Sequence, residues 1–152
     1  SSIKKLLLMT QNSNKPTTSF WVIGVLALLW NALGVMAYLG QKLMTDEMKA
    51  MIPAEQLEII ENTPAWATAA FATAVWFGFI ACIVLLMRKK LAKVLFMISL
   101  IGVLVQLVYN FFMTNAIEVY GTDSLIQALV TVSVGLFMIW HAKKYTEDGI
   151  LS

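Results

Sequence analysis

The chain has 152 residues, of which 59% are hydrophobic and 13% are charged, with a net charge of +2. This composition excludes an ordinary soluble globular domain, in which about 25% of residues are charged. One cysteine, Cys82, excludes an intrachain disulfide and a metal site built on cysteine spacing.

The chain begins with a polar region that we predict to be a cytoplasmic tail, residues 1–18. It opens with a short apolar and basic piece, IKKLLLM, about half the length of a signal-peptide core. Met9 is followed by a polar leader, so two readings stay open. Either Met9 is the native start and residues 1–8 are an upstream extension, or the whole tail is native.

The first apolar run, Phe20–Leu39, has twenty residues with a single amide, Asn31, near its middle. As a helix it covers about 30 Å, the thickness of a bilayer's hydrocarbon core. It predicts a membrane span over residues 20–40, with Thr17, Thr18 or Ser19 as the residue that caps the helix.

Residues 43–62 are too polar to span a membrane, yet apolar side chains recur among them at helical spacing. Pro53 suits the first position of a second short helix. We predict a bent, amphipathic helical segment outside the membrane, resting on its surface or capping the bundle. The alternatives are a plain connector and a lid or partner-docking element.

Three more apolar runs predict spans over residues 64–87, 92–114 and 124–143. Thr63 can cap the second span, and Pro64 suits its first position. Small residues four apart, Ala65, Ala69 and Thr73, predict the packing face of that span. The fold class is therefore all-α: an antiparallel four-helix transmembrane bundle over residues 19–145, with a short tail at 146–152.

The basic residues lie almost entirely on one side of this topology. Nine of the eleven fall on the side of the two termini and the second-to-third turn, and only Lys42 and Lys49 fall on the other. The positive-inside rule then places both termini in the cytoplasm of a bacterial inner membrane. We predict that six of these residues set topology or contact lipid headgroups: Arg88, Lys89, Lys90, Lys93, Lys143 and Lys144.

Ionisable side chains are absent from the central part of every predicted span, which argues against proton- or cation-coupled transport. His141 is expected to be structural; it lies beside Lys143 at the inner interface, where it could point into headgroups. The sequence carries no glycine-rich phosphate loop, metal-spaced cluster or nucleophile-base pair. We therefore expect no enzyme, no cofactor, no metal and no nucleic-acid partner.

Neutral polar residues recur within the spans at helical spacing, one stripe per helix. If the stripes face one another, they form a polar seam in the outer half of the bundle. Such a seam could bind a neutral hydroxylated ligand. It could equally be a set of interhelical hydrogen bonds of about 0.6 kcal/mol each. The candidate ligand-binding residues are Asn31, Tyr38, Gln106, Tyr109, Asn110, Gln127 and Thr131.

Several segments resemble a family of small bacterial four-helix membrane proteins: WNALGVMAYLGQ, MTDEMKAMIPAEQ, TPAWATAAF, RKK and GVLVQLVYNFFM. The likeness covers most of the chain from Lys15 onward. It implies a four-helix membrane fold, and members of this family commonly carry a "sugar transporter" label. The chain lacks the Pro-Gln motif of the three-helix sugar carriers. It also lacks the acidic residue that four-helix multidrug exporters carry in their first span.

Two functions follow as hypotheses. The first is a non-catalytic accessory, scaffold or lipid-contacting subunit, in contact with membrane lipids and able to form a homo-oligomer or join a larger complex. The alternative is facilitated transport or binding of a small neutral polar solute through the polar seam. Side chains that converge on an open cavity would favour the alternative, whereas a dry, closed seam would favour the subunit.

Overall fold

The structure, a computed structural model, describes residues 2–3 and 15–152. Within residues 15–152 the chain is all-α, with seven helices and no strand: α1 (Thr18–Lys42), α2 (Asp46–Ala50), α3 (Ala54–Glu61), α4 (Ala65–Leu86), α5 (Leu91–Phe112), α6 (Ala116–Tyr120) and α7 (Thr122–Glu147). The four long helices, α1, α4, α5 and α7, are long and apolar enough to cross a membrane, with mean hydropathies of 1.8 to 2.4. The chain is a multi-pass membrane protein of four spans.

The long helices begin and end close to the predicted span boundaries, except that α7 continues to Glu147. Lys143 and Lys144 end the apolar run but favour helix, so the hydropathy boundary and the helix boundary differ. The predicted tail at 146–152 therefore starts inside α7. The predicted start at Met9 and most of the predicted extension at residues 1–8 lie outside the described residues, which include residues 2 and 3 of that stretch.

Helix ends follow local side-chain chemistry. The Thr17 hydroxyl accepts a hydrogen bond from the backbone N–H of Phe20 at 3.2 Å, which caps α1 as predicted. The predicted cap at Thr63 is wrong. Its hydroxyl donates to the carbonyl of Ile59 at 2.8 Å and closes the last turn of α3, while Pro64 occupies the cap position of α4.

The external segment is two short helices, α2 and α3, separated by Met51–Pro53. This is the bent helical segment that the sequence predicts. The short helix α6 adds to it from the second external loop, and α3 packs against α6. This end of the bundle also carries seven of the nine acidic residues, and we call it the acidic end.

The long helices pack in the order α1 on α4, α4 on α5, and α5 on α7. The described helices α1 and α7 do not pack on each other along their lengths. They meet near one end only, where the rings of Phe20 and Tyr145 contact edge to face at 4.8 Å. The bundle is therefore a row of four helices that closes into a ring only at that end.

The α4–α5 contact is the closest of these. A Cβ atom on Gly102 would lie 2.8 Å from the carbonyl oxygen of Ala70 and 2.8 Å from the backbone nitrogen of Ala74. Small residues allow this approach, as expected for helices packing in lipid. The predicted face is wrong at Ala65 and Ala69, which are exposed. Its third member, Thr73, does lie at this contact, since its Cβ would be 3.2 Å from a Cβ atom on Gly102. The buried stripe is displaced by about one residue position from the predicted one. It consists of Ala67, Ala70, Ala74, Gly78 and Ala81.

The hydrophobic core lies at the opposite end, where α1 starts, α7 ends and the Arg88–Lys93 turn joins α4 to α5. We call this the basic end. Phe20, Leu85 and Cys82 are its largest fully buried side chains. Ile150 and Leu151, in the stretch predicted to be a free tail, are also buried in it.

The last residues are fixed to the basic turn by three hydrogen bonds. The backbone N–H of Ser152 donates to the Arg88 carbonyl, and the Lys90 N–H donates to the Ser152 carbonyl, both at 3.1 Å. The Arg88 guanidinium donates to the Ile150 carbonyl at 3.2 Å. The C-terminal stretch is thus part of the folded bundle and closes its basic end.

Candidate ligand-binding cleft

Two adjoining cavities lie between the helices towards the acidic end. The middle cavity, about 400 Å³, has walls from α1, α4, α5 and α7. The end cavity, about 500 Å³, lies between α3, α5, α6, α7 and the end of α1. Both volumes fall in the range of small-molecule sites. The two cavities adjoin, and we call them together the cleft. They share four lining residues: Val103, Gln106, Gln127 and Thr131.

Five of the seven candidate ligand-binding residues line this cleft. Asn31 lines the middle cavity and Asn110 lines the end cavity, while Gln106, Gln127 and Thr131 line both. The stripes on α1, α5 and α7 therefore do converge on open space. Whether these residues bind a ligand stays a prediction.

Tyr38 and Tyr109 lie outside the residues that line the two cavities. Tyr38 packs on α4, with its ring 5.6 Å from that of Phe71. Tyr109 is buried, and its ring meets that of Trp66 edge to face at 5.2 Å. Both tyrosines fill interfaces between adjacent helices. Trp30 does line the middle cavity and offers an aromatic face there.

The polar groups deepest in the middle cavity are already hydrogen-bonded to the protein. The Asn31 amide nitrogen donates to the Ala27 carbonyl at 2.8 Å and lies 3.5 Å from the Cys82 sulfur. The Ser99 hydroxyl donates across the helix interface to the Ala74 carbonyl at 2.6 Å. A Cβ atom on Gly78 would collide with the Asn31 side-chain oxygen and lie 3.0 Å from the Ser99 hydroxyl. These groups hold helices together.

The amides nearer the acidic end are different. Within the described part of the chain, the side chains of Gln106, Asn110 and Gln127 form no hydrogen bond. The Thr131 hydroxyl donates to the backbone carbonyl of Gln127 at 2.8 Å and keeps its acceptor capacity. Towards the acidic end, the cleft thus presents three amides that are unpaired within the described chain. Each has donors and an acceptor available to a ligand.

The electrostatics of the cleft are weak. Asp123 is the one carboxylate among the described residues that line it, and none of those residues is Lys, Arg or His. Partial burial raises the pKa of the Tyr120 phenol at the end cavity, so it stays a hydrogen-bond donor at neutral pH. Across the residues described, no group of three or more His, Cys, Asp or Glu is placed to hold a metal ion.

Several lining residues were not predicted. Asp123 and Ser124 precede Gln127 by four and three residues on α7, so helical spacing could have found them. Gln41 follows Gly34, another lining residue, by seven positions on α1, so both lie on the same face of that helix. Thr63 and Tyr120 enter from short external elements, where the sequence gives no comparable signal.

The predicted headgroup and topology residues lie together at the basic end, away from the cleft mouth. Arg88, Lys89 and Lys90 are exposed at the turn, and Lys143 and Lys144 are exposed on α7. Lys93 is half-buried. Arg88 and Lys90 also bind the C-terminal stretch, a role that the sequence did not suggest.

His141 is a core residue, in line with the structural role expected for it, and it does not point into headgroups. It is buried, and its ring stacks on that of Phe137 at 5.2 Å and meets that of Tyr145 edge to face at 4.3 Å. Its Nε2 atom is buried and has no hydrogen-bond partner among the described residues. Since the ring lies among aromatic side chains at the basic end, it belongs to the core and not to the cleft.

Comparison with known protein families, with curated proteins and with solved structures finds no match to this chain.

Proposed function

We propose that this protein binds a small, uncharged, hydroxylated solute in the cleft, as the first step of its facilitated transport across the membrane. The observation that carries the proposal is the set of three amides, on Gln106, Asn110 and Gln127, that form no hydrogen bond within the described part of the chain and face two adjoining cavities. A side-chain amide both donates and accepts, as a hydroxyl group does. Amides at a cavity wall are therefore matched to a polyol or sugar-like ligand.

The charge of the lining supports an uncharged ligand. An anion would find no cationic partner among the described lining residues, and Asp123 would repel it. A cation would find one carboxylate at the mouth and none deeper. Neither charge sign is well accommodated, since a buried charge needs a partner.

We rank this function above the accessory or scaffold subunit. That hypothesis expects a dry, closed seam whose amides bond to one another, whereas these amides face open space. We further propose a bacterial inner membrane with both termini cytoplasmic, supported by the nine basic residues on the termini side, so that the cleft opens outward.

An osmotic swelling assay tests the proposal. Proteoliposomes containing the protein should swell faster than empty liposomes in glycerol, xylitol or glucose. Gln127→Leu should slow the protein-dependent swelling rate about fivefold. It removes about one hydrogen bond to the solute, which is about 1 kcal/mol of binding free energy. Swelling that matches empty liposomes with all three solutes would contradict the proposal.

The chain offers a matched control. Thr131 and Thr73 both donate to the carbonyl four residues earlier at 2.8 Å, but only Thr131 lines the cleft. Thr131→Val should lower the swelling rate, and Thr73→Val should leave it unchanged. Equal effects would mean that the variants act on the helices and not on a bound solute.

A further inference from the structure

The polarity of the cleft changes along its length. Its unpaired amides lie towards the acidic end, around the end cavity and its junction with the middle cavity. Deeper, Asn31 and Ser99 are bonded to the protein, and the remaining walls are aliphatic or aromatic. A ligand that fills both cavities meets hydrogen-bonding groups at one end and an apolar surface at the other.

The middle cavity also has an open flank. Its walls on α1 and α7 face each other, yet these two helices do not pack along their lengths. On α1, the lining residues Trp30 and Leu33 are 41% and 64% exposed. Because this part of α1 lies within a membrane span, the flank between α1 and α7 faces lipid hydrocarbon.

We infer that the ligand of this cleft is an amphipathic lipid with an uncharged, hydroxyl-bearing headgroup. The headgroup lies in the end cavity among the unpaired amides. The hydrocarbon chain lies in the middle cavity and passes out between α1 and α7 into the bilayer. This inference rests on the proposed function and names the class of ligand.

The open flank allows the hydroxyl-bearing ligand of the proposed function to carry a hydrocarbon chain. Such a chain can pass between α1 and α7 into the bilayer, and the same opening is the route by which the ligand enters. An anionic lipid is disfavoured because Asp123 lies at the headgroup site and no Lys or Arg is among the described lining residues.

Native mass spectrometry of the full chain in phosphatidylcholine nanodiscs tests the inference. The probe is n-dodecyl β-glucoside in the nanodisc, and methyl β-glucoside in the buffer is its counterpart without a chain. We expect one retained dodecyl glucoside per protein chain. Phosphatidylglycerol added in its place should not be retained above phosphatidylcholine.

Two variants separate the headgroup from the chain. Ala37 is exposed and lines the middle cavity from α1, so Ala37→Phe fills the route of the chain without entering a helix interface. It should abolish retention of dodecyl glucoside. Ala69→Phe, at an exposed position on α4 outside both cavities, is the matched control and should retain the probe. Gln127→Leu should lose it.

The possible results are distinguishable. If methyl glucoside binds and Ala37→Phe alters neither ligand, the lipid inference fails and the proposed function stands. If the chain appears as a dimer without dodecyl glucoside, a second copy covers the flank and the lipid inference fails. If neither glucoside binds and the swelling assay shows no transport, both fail.

Discussion

The basic and acidic ends of this bundle are built from the same four helices but differ in how the space between them is filled. At the basic end, Phe20, Cys82 and Leu85 are fully buried, and α1, α7 and the C-terminal stretch close on one another. Towards the acidic end, α1 and α7 separate, and two cavities with unpaired amides lie between the helices. The comparison teaches that close packing and open, amide-lined space lie at different depths of the bundle.

This division has a physical cause in the side chains. Apolar side chains of different sizes can interlock without gaps, as Phe20 and Tyr145 do. Amides pack less well in an apolar surrounding, because each unpaired donor or acceptor disfavours contact with hydrocarbon. A cleft lined by amides therefore stays open unless a ligand, water or another polar group fills it.

The largest predicted effect tests the basic end. Phe20→Ala should lower the free energy of unfolding by about 3 kcal/mol, since it leaves a void where the ring meets Tyr145. Phe112→Ala, at a residue that is 83% exposed near the acidic end, should change it little. Unfolding in mixed detergent micelles, followed by circular dichroism, measures both. Equal losses would mean that the two ends are packed alike.

An intermediate effect is expected where α4 and α5 meet. Gly102→Ala places a Cβ atom against the backbone of Ala70 and Ala74, which cannot move aside as a side chain can. We expect a loss of about 2 kcal/mol in the same unfolding measurement. Gly40→Ala is the control, because its added Cβ would meet nothing within 4 Å. A stable Gly102→Ala variant would show that the two helices can separate without cost.

The fold was largely predictable because hydropathy measures what a bilayer requires of a helix. The four spans and the bent external segment follow from runs of apolar residues and from Pro53. The packing face of α4 was not predictable in the same way. Alanine occurs on several faces of that helix, and only its partner, Gly102 on α5, determines which face is buried.

The candidate site was predictable in part for a related reason. Helical periodicity brought Asn31, Gln106 and Gln127 onto stripes, and the structure places them on one cleft. Periodicity does not report which polar groups are already bonded to the protein. Asn31, near the middle of its span, donates to Ala27 on its own helix and to Cys82 on α4, while Gln106 and Gln127 form no hydrogen bond within the described part of the chain. The burial of Ile150 and Leu151 depends on the basic turn, which no local pattern reveals.

The smallest predicted effect concerns whether polar groups in the bundle hold it together or only line it. Ser99→Ala removes an interhelical hydrogen bond to the Ala74 carbonyl and should cost about 0.6 kcal/mol. Gln106→Leu removes an amide that bonds to nothing in the described chain, so it should cost no stability in the absence of ligand. The same unfolding titration, repeated to resolve such small differences, measures the pair. A loss for Gln106→Leu equal to that of Ser99→Ala would mean that the amides at the cleft bond between helices in the membrane, and the separation of packing from binding would not hold.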